Sequence, residues 1–153
     1  MTDFKDKLLK ESDRSTFLII SALLETKLKE LLLAKLKSGT KLKEIGANSF
    51  YNYINLSFSL DLITSSQKDM YHKFRDIRND FAHKPDFLDL NNVSIESIYK
   101  GHEVFSSEID NYIENKAREN NISNDFWTQR VKFEFVFLSE IEALSEKINK
   151  LKS

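Results

Sequence analysis

Several residue types on which other fold classes depend are rare or missing in this chain. It has no cysteine, one proline and three glycines. The lack of cysteine excludes disulfide bonds, cysteine-ligated zinc and a cysteine nucleophile. Sheet-rich folds need many turns, and turns draw on glycine and proline, so the scarcity of both favours long helices. We therefore expect an all-α protein.

Long apolar segments and an excess of one charge are also missing. No apolar run reaches the roughly 20 residues of a membrane-spanning helix, and residues 1–5 are too polar to begin a signal peptide. We therefore expect a cytoplasmic protein with no membrane partner. The 23 basic and 24 acidic residues give a net charge of -1, which is not the basic excess of a protein that holds DNA by its phosphates. Direct sequence-specific DNA binding is not expected.

Hydrophobic residues make up 41% of the chain and charged residues 31%, which is typical of a folded globular protein. We expect one helical domain over residues 1–153. The one basic cluster is Lys35, Lys37, Lys41 and Lys43. Because these lysines surround the Ser38-Gly39-Thr40 segment, they are read as a solvated loop.

Apolar residues recur at steps of three and four along most of the chain. The first predicted helix starts near Ser12 and Asp13, which can cap it, and runs to about Lys37. Its apolar residues cover most of its circumference, which is typical of a helix central in the core. The next two helices are predicted over residues 50–62 and 66–83, with Pro85 ending the second of them.

The second half of the chain predicts two or three further helices, for a bundle of about five to six. One follows the apolar positions Ile95, Ile98, Phe105, Ile109 and Tyr112. Residues 131–135 alternate like a strand, but the steps of four and three that follow predict one helix from about Asp125. Its seam of Phe137, Ile141, Leu144, Ile148 and Leu151 could pair with a second chain or pack inside the bundle. A homodimer or larger symmetric assembly is the expectation.

The helix over residues 66–83 carries the densest set of reactive side chains. A helical wheel at roughly 100° per residue divides them into three groups. The core-facing stripe contains Met70, Phe74, Ile77 and Phe81. The opposite ridge contains His72, Asp76, Asn79 and His83. The flank between them contains Tyr71, Arg75, Arg78 and Ala82.

Phosphodiester cleavage is one interpretation of this helix. His83 could take a proton from a ribose 2′-hydroxyl, Arg78 could hold the phosphate, and Asn79 could orient either group, with no metal or other cofactor. On a straight helix, however, Arg78 and His83 point about 140° apart. They share a site only if the helix loosens before Pro85, or if a second chain supplies one of them.

Two other interpretations use the same residues. In the structural one, Arg78 pairs with a carboxylate such as Glu11 or Asp13, and His83 meets free carbonyl groups at the helix end. In the third, His72, Asp76 and His83 ligate zinc or iron. That ridge spans three turns, too long for one ion to reach all three residues, so no metal site is predicted.

Four segments resemble the mannitol operon repressor family. They are residues 11–14 (ESDR), 24–32 (LETKLKELL), 58–63 (FSLDLI) and, most closely, 75–83 (RDIRNDFAH). The resemblance implies an all-helical bundle that regulates sugar-alcohol transport genes, without a helix-turn-helix motif. This chain has Asp61 where the family usually has glycine. The leading prediction is a non-enzymatic regulatory protein that acts through protein partners.

The segment from Arg78 to His83 is also similar to the Arg-Asn-x-x-x-His motif of the HEPN superfamily, which includes RNA-cleaving toxins and defence nucleases. That resemblance implies a composite active site made by two motif copies across a dimer. Arg78 would then bind phosphate, Asn79 would orient it, and His83 would act on the 2′-hydroxyl. A metal-independent endoribonuclease acting on RNA is the alternative prediction.

Overall fold

The computed structural model describes residues 12–83 and 125–153, together with positions 111, 114, 115, 118 and 119. The elements are α1 (Asp13–Lys35), a 3-10 turn (Leu42–Ile45), α2 (Phe50–Ser59), α3 (Ser65–His83) and α4 (Asp125–Lys152). Among these described residues there is no strand, so the all-α prediction is confirmed. The helix predicted around residues 95–112 has all its apolar positions outside them, and the count of five to six helices stays a prediction.

Helix α1 is the central element, as its sequence predicts. The side chain of Ser12 caps it by accepting a hydrogen bond from the Ser15 amide at 3.1 Å. Its residues pack against all three other helices. It ends at Lys35, two residues before the expected end, because Leu36 adopts an extended backbone. On one face of α1, Leu18 and Leu33 are 36% and 43% exposed.

A tight connection joins α2 and α3. Helix α2 ends at Ser59 rather than at the expected Leu62, and Asp61 takes a left-handed φ of 59° that a helix cannot continue through. The next helix starts with a reciprocal cap. The Gln67 amide donates to the Thr64 hydroxyl at 3.1 Å, and the Thr64 amide donates to the Gln67 side chain at 2.8 Å. With this cap α3 begins at Ser65, one residue before the predicted start at residue 66.

Stacked phenylalanines form the centre of the core. The ring of Phe17 on α1 stacks on Phe74 and Phe81 of α3, at 4.5 and 4.9 Å between ring centroids, and on Phe133 of α4 at 4.8 Å. Phe74 also contacts Phe137 at 4.2 Å. These contacts place the start of α1, the end of α3 and the first half of α4 at one end of the bundle.

Helix α4 is helical throughout residues 131–137, so the prediction of one helix from Asp125 is confirmed over the strand alternative. Its seam is used within the chain. Phe137, Ile141, Leu144 and Ile148 are all buried in the core, and only Leu151 is exposed. Because the core already takes this seam, it is not the surface through which a second chain would bind.

Two groups of polar side chains are buried between the helices. On α4, Arg130 donates to Glu134 at 3.2 Å and to the Thr16 hydroxyl of α1 at 2.6 Å. Further along the same helix, the Glu140 carboxylate accepts from the Tyr71 hydroxyl at 2.5 Å and from the Gln67 amide at 3.0 Å. Both groups satisfy polar atoms that would otherwise be costly to bury.

Of the helices that the structure describes, none is both long and apolar enough to cross a membrane.

Candidate functional site on helix α3

The apolar face of α3 contains the four residues predicted for it and, as a correction, also Tyr71. Met70, Phe74 and Phe81 are buried, and Ile77 is partly buried against the core. Tyr71, expected on the half-exposed flank, is fully buried. The reason is the Glu140 carboxylate on α4, which accepts a hydrogen bond from the Tyr71 hydroxyl and so satisfies the buried phenol. Burial first and Glu140 second raise the pKa of Tyr71 well above its ordinary value.

Cations of α3 lie on aromatic rings of α2 along the whole length of the hairpin. The Lys68 ammonium lies 4.5 Å from the centre of the Phe58 ring, and the Arg75 guanidinium 4.7 Å from that of Tyr51. The Arg78 guanidinium lies 5.3 Å from the centre of the Phe50 ring. Residue numbers rise on one helix as they fall on the other, so the helices are antiparallel. We call this set the cation–aromatic edge.

Arg78 is held from two sides. Besides lying over Phe50, it donates from Nη1 to Oε2 of Glu25 on α1 at 3.3 Å. The side chains of Arg78 and Glu25 are 28% and 34% exposed. The sequence analysis expected a carboxylate partner but named Glu11 or Asp13. Glu11 and the side chain of Asp13 lie outside the described residues, and the partner found is about three turns further along α1.

Arg75 and His72 also have polar partners, Asp76 on α3 and Asn55 on α2. Arg75 donates from Nη2 to Asp76 at 2.9 Å, while its buried Nε atom has no hydrogen-bond partner among the described residues. Nε2 of His72 lies 2.9 Å from the Asn55 side-chain oxygen, and the imidazole is tilted against Tyr51 at 5.2 Å.

The surroundings of His72 favour its neutral form. Desolvation by burial lowers its pKa most, and the charges of Arg75 and Lys68 lower it further. Neutral His72 donates from Nε2 to Asn55, which leaves Nδ1 as an acceptor. Nδ1 is buried, and no residue in the described part of the chain forms a hydrogen bond with it. A proton added there would find no acceptor among the described residues, and repulsion from Arg75 and Lys68 would outweigh the attraction of Asp76 and Asp69.

Asn79 leaves α3 about 100° round the helix from Arg78, at 100° per residue. Helix α3 keeps α-helical geometry through His83, so the loosening that would bring Arg78 and His83 together does not occur. At 100° per residue the two side chains leave the helix about 140° apart. Asn79 is half-buried and His83 is exposed. Within one chain the structure therefore brings Arg78 to Glu25 and leaves His83 at the surface.

The ridge of His72, Asp76 and His83 does not form a metal site. His72 binds Asn55, and Asp76 accepts from Arg75. In the part of the chain that the structure describes, no group of three or more histidine or carboxylate side chains is placed to hold a metal ion.

Sequence reasoning missed the residues that α2 and α1 contribute to this site. Phe50, Tyr51 and Asn55 showed only helical spacing, and Glu25 stood out only as part of a family-like segment. A usable signal exists for α2. Once α2 and α3 are taken as an antiparallel hairpin, Lys68, Arg75 and Arg78 of α3 fall opposite the α2 aromatic residues Phe58, Tyr51 and Phe50. No comparable signal marks Glu25, because its contact depends on how α1 crosses the hairpin.

Comparison of the chain with protein-family models, with curated proteins and with solved structures found no significant match.

Proposed function

We propose that this protein is a non-enzymatic regulatory protein of the mannitol-repressor type, which acts on transcription through a protein partner. The observation that carries the proposal is the position of Arg78. Its guanidinium is held by the Glu25 carboxylate and by the Phe50 ring. An arginine used in this way stabilises the packing of three helices.

The same contacts count against a catalytic role for Arg78. A phosphate-binding arginine needs its N–H groups free for the phosphate oxygens. Here Glu25 competes for them, and its negative charge repels an approaching phosphate. His83 leaves α3 in another direction, so one chain does not present both groups to one substrate.

The backbone at Asp61 supports the family resemblance. The family usually has glycine at this position, and Asp61 has a φ of 59°. This left-handed conformation favours glycine and is tolerated by aspartate better than by most residues. The substitution therefore keeps the backbone requirement that explains the glycine.

The alternative function is the metal-independent endoribonuclease. One observation favours it, which is that His83 is exposed and hence accessible to an RNA substrate. This function requires a second chain to bring its own Arg78 to His83, with the Glu25 contact broken or shared.

Cleavage of mixed RNA by the purified protein in EDTA, together with melting curves, separates the two functions. The variants are Arg78→Ala, His83→Ala and, as a matched control outside the motif, Arg75→Ala. The proposal expects no cleavage by the wild-type protein and a similar loss of stability for both arginine variants. Cleavage that His83→Ala abolishes at unchanged melting temperature would establish the nuclease instead.

A cellular measurement tests the regulatory role itself. In a strain that lacks the gene, the proposal expects changed promoter activity for a small set of transcripts, with unchanged RNA half-lives. The nuclease function instead predicts changed RNA half-lives with unchanged promoter activity. Purified protein should show no sequence preference on duplex DNA from the affected promoters, because its charge is near neutral. Specific binding to that DNA by the protein alone would contradict regulation through a protein partner.

A further inference from the structure

The connection between α1 and α2 concentrates positive charge at the surface. Residues 35–47 contain four lysines and one glutamate, which gives this segment a charge of +3 in a chain whose net charge is -1. All four lysines are exposed, and they are Lys35, Lys37, Lys41 and Lys43. Of the four, Lys41 alone forms an ion pair within the described part of the chain, with Glu44 at 4.0 Å. We call residues 35–47 the lysine loop.

Backbone hydrogen bonds and two buried side chains hold the lysine loop in place. The amides of residues 40, 44, 46 and 47 donate to the carbonyl oxygens of residues 37, 41, 43 and 42, at 2.9–3.2 Å. Leu42 and Ala47 are buried and attach the loop to the core. These contacts keep the four lysines near one another, where their charges repel. An anionic partner would relieve that repulsion.

An aliphatic side chain lies among these lysines. Ile45 is 51% exposed, the highest value among the large apolar side chains whose exposure the structure describes. It follows the buried Leu42 by three residues in the 3-10 turn, and residues three apart share one side of such a turn. The turn ends beside it, at Gly46, with a left-handed φ of 81°. One exposed isoleucine is ordinary by itself, but beside lysines it distinguishes between classes of anionic partner.

The composition of the lysine loop favours an extended anionic surface over a discrete anion or a nucleic acid. A single phosphate or carboxylate group is best held by the planar fork of arginine, whereas lysine acts as a point charge. Nucleic-acid surfaces commonly add arginines on phosphates and aromatic rings that stack on bases. The loop contains neither residue type. An anionic bilayer attracts lysines to its headgroups and accepts an aliphatic side chain at the acyl boundary, so Ile45 gains there and gains nothing beside phosphates.

We infer that the lysine loop binds the anionic surface of a membrane, with its lysines among the headgroups and Ile45 at the acyl boundary. The expectation of no membrane partner rested on the lack of a spanning segment and of a signal peptide, and a surface contact requires neither. The contact is weak and reversible, because its main source is about fivefold in binding for each lysine. The inference does not depend on the regulatory function, since it rests only on the loop.

Co-sedimentation of the full chain with lipid vesicles provides the first test. At about 50 mM salt the protein should bind phosphatidylcholine vesicles that contain about 30% phosphatidylserine, and about 500 mM salt should release it. Lys37→Gln and Lys43→Gln should each weaken binding about fivefold. Lys73→Gln, at an exposed position on α3, is the matched control for the change in net charge and should have less effect. No binding at low salt, or equal weakening by the control, would overturn the inference.

A fluorescent label at residue 45 tests the position of the isoleucine and separates the classes of partner. The chain has no cysteine, so a polarity-sensitive dye on Ile45→Cys reports only on that site. Its emission should shift to shorter wavelength on the same vesicles, whereas the dye on Glu142→Cys, an exposed position on α4, should not respond. Duplex DNA and polyglutamate are the competing probes at equal salt. Tighter binding to either of them, with no shift at residue 45 on vesicles, would assign the loop to a nucleic acid or an acidic protein and overturn the inference.

Discussion

Two arginine–glutamate pairs in this fold have nearly the same length but lie in different surroundings. Arg130 and Glu134 are 3.2 Å apart with side chains 5% and 7% exposed. Arg78 and Glu25 are 3.3 Å apart with side chains 28% and 34% exposed. A buried charge that loses its partner costs several kcal/mol, whereas a solvated one recovers much of that from water. Distance alone therefore does not tell which pair stabilises the fold more.

The two faces of α3 show the same contrast on a larger scale. Toward α4, the helix presents fully buried Phe74 and Tyr71, which bind through ring contacts and one short hydrogen bond. Toward α2, it presents half-buried cations on aromatic rings, with Lys68 and Arg75 as examples. The buried contacts of the face toward α4 are expected to contribute more to the free energy of unfolding. The face toward α2 orients the hairpin and leaves its charges within reach of water.

The largest expected loss of stability comes from breaking the buried Arg130–Glu134 pair. Glu134→Ala should lower the free energy of unfolding by about 3–5 kcal/mol, because it removes the carboxylate to which the buried Arg130 guanidinium donates at 3.2 Å. For a chain of this size, each kcal/mol lowers the melting temperature by roughly 2–4 °C. Glu142→Ala, at an exposed position on the same helix, should change stability by no more than about 0.5 kcal/mol. Equal effects for the two variants would show that burial does not distinguish them.

The hydrogen bond on the core side of α3 should have the next largest effect. Tyr71→Phe removes one donor from the buried Glu140 carboxylate, which keeps Gln67. Hydrogen bonds to charged groups contribute about 1.5–3 kcal/mol, and we expect a loss in that range by urea denaturation. Tyr51→Phe is the control, because the exposed ring of Tyr51 keeps its stacking on Arg75. If Tyr71→Phe lowered the free energy of unfolding no more than Tyr51→Phe, the hydrogen bond from Tyr71 to Glu140 would not contribute to stability.

A smaller loss of stability is expected from breaking the half-exposed Arg78–Glu25 pair. Arg78→Ala should lower the free energy of unfolding by about 1–2 kcal/mol, the sum of an exposed ion pair and a cation–π contact. This is less than a buried pair would give. A double-mutant cycle with Glu25→Ala should assign about 0.2–1 kcal/mol to the pair itself. A loss of 3 kcal/mol or more for Arg78→Ala would mean that the pair behaves as buried.

What the sequence predicts well follows from local periodicity. The start of α1 next to Ser12 and the helix through residues 131–137 both depend on residues a few positions apart, and both are confirmed. The end of α2 was placed at Leu62, three residues late, because the left-handed backbone of Asp61 is not signalled by an aspartate. Periodicity identified the elements, but it did not give their ends.

The candidate site was only partly predictable, because its contacts join distant segments. The sequence singled out Arg78 and predicted a carboxylate partner, but the residue that fills this role is 53 positions away. Tyr71 was placed on the flank because a wheel treats one helix in isolation, and Glu140 on α4 decides its burial. Pattern reasoning thus found which helix carries the chemistry. It did not find the neighbours that determine what each side chain does.

The smallest expected effect is a pH dependence that comes from His72. Burial and the nearby cations lower its pKa from the ordinary value of 6.5. Between the lowered pKa and 6.5, the unfolded chain therefore binds more protons than the folded one, and stability falls as the pH falls below about 6.5. The loss should stay below about 1 kcal/mol, because the ring is half-exposed and solvent screens its charged neighbours.

Melting temperatures of the wild-type protein and His72→Gln at about pH 7.5 and pH 5.5 isolate this effect from the other histidines. Glutamine can keep a donor toward Asn55 but does not titrate, so the variant should lose less stability at the lower pH. The difference should be smaller than the effect of Arg78→Ala at neutral pH, since His72 and Arg78 lie on the same half-exposed edge. A wild-type protein that gains stability relative to His72→Gln on acidification would mean that protonated His72 has an acceptor. The interpretation of Nδ1 as a buried acceptor without a partner would then be wrong.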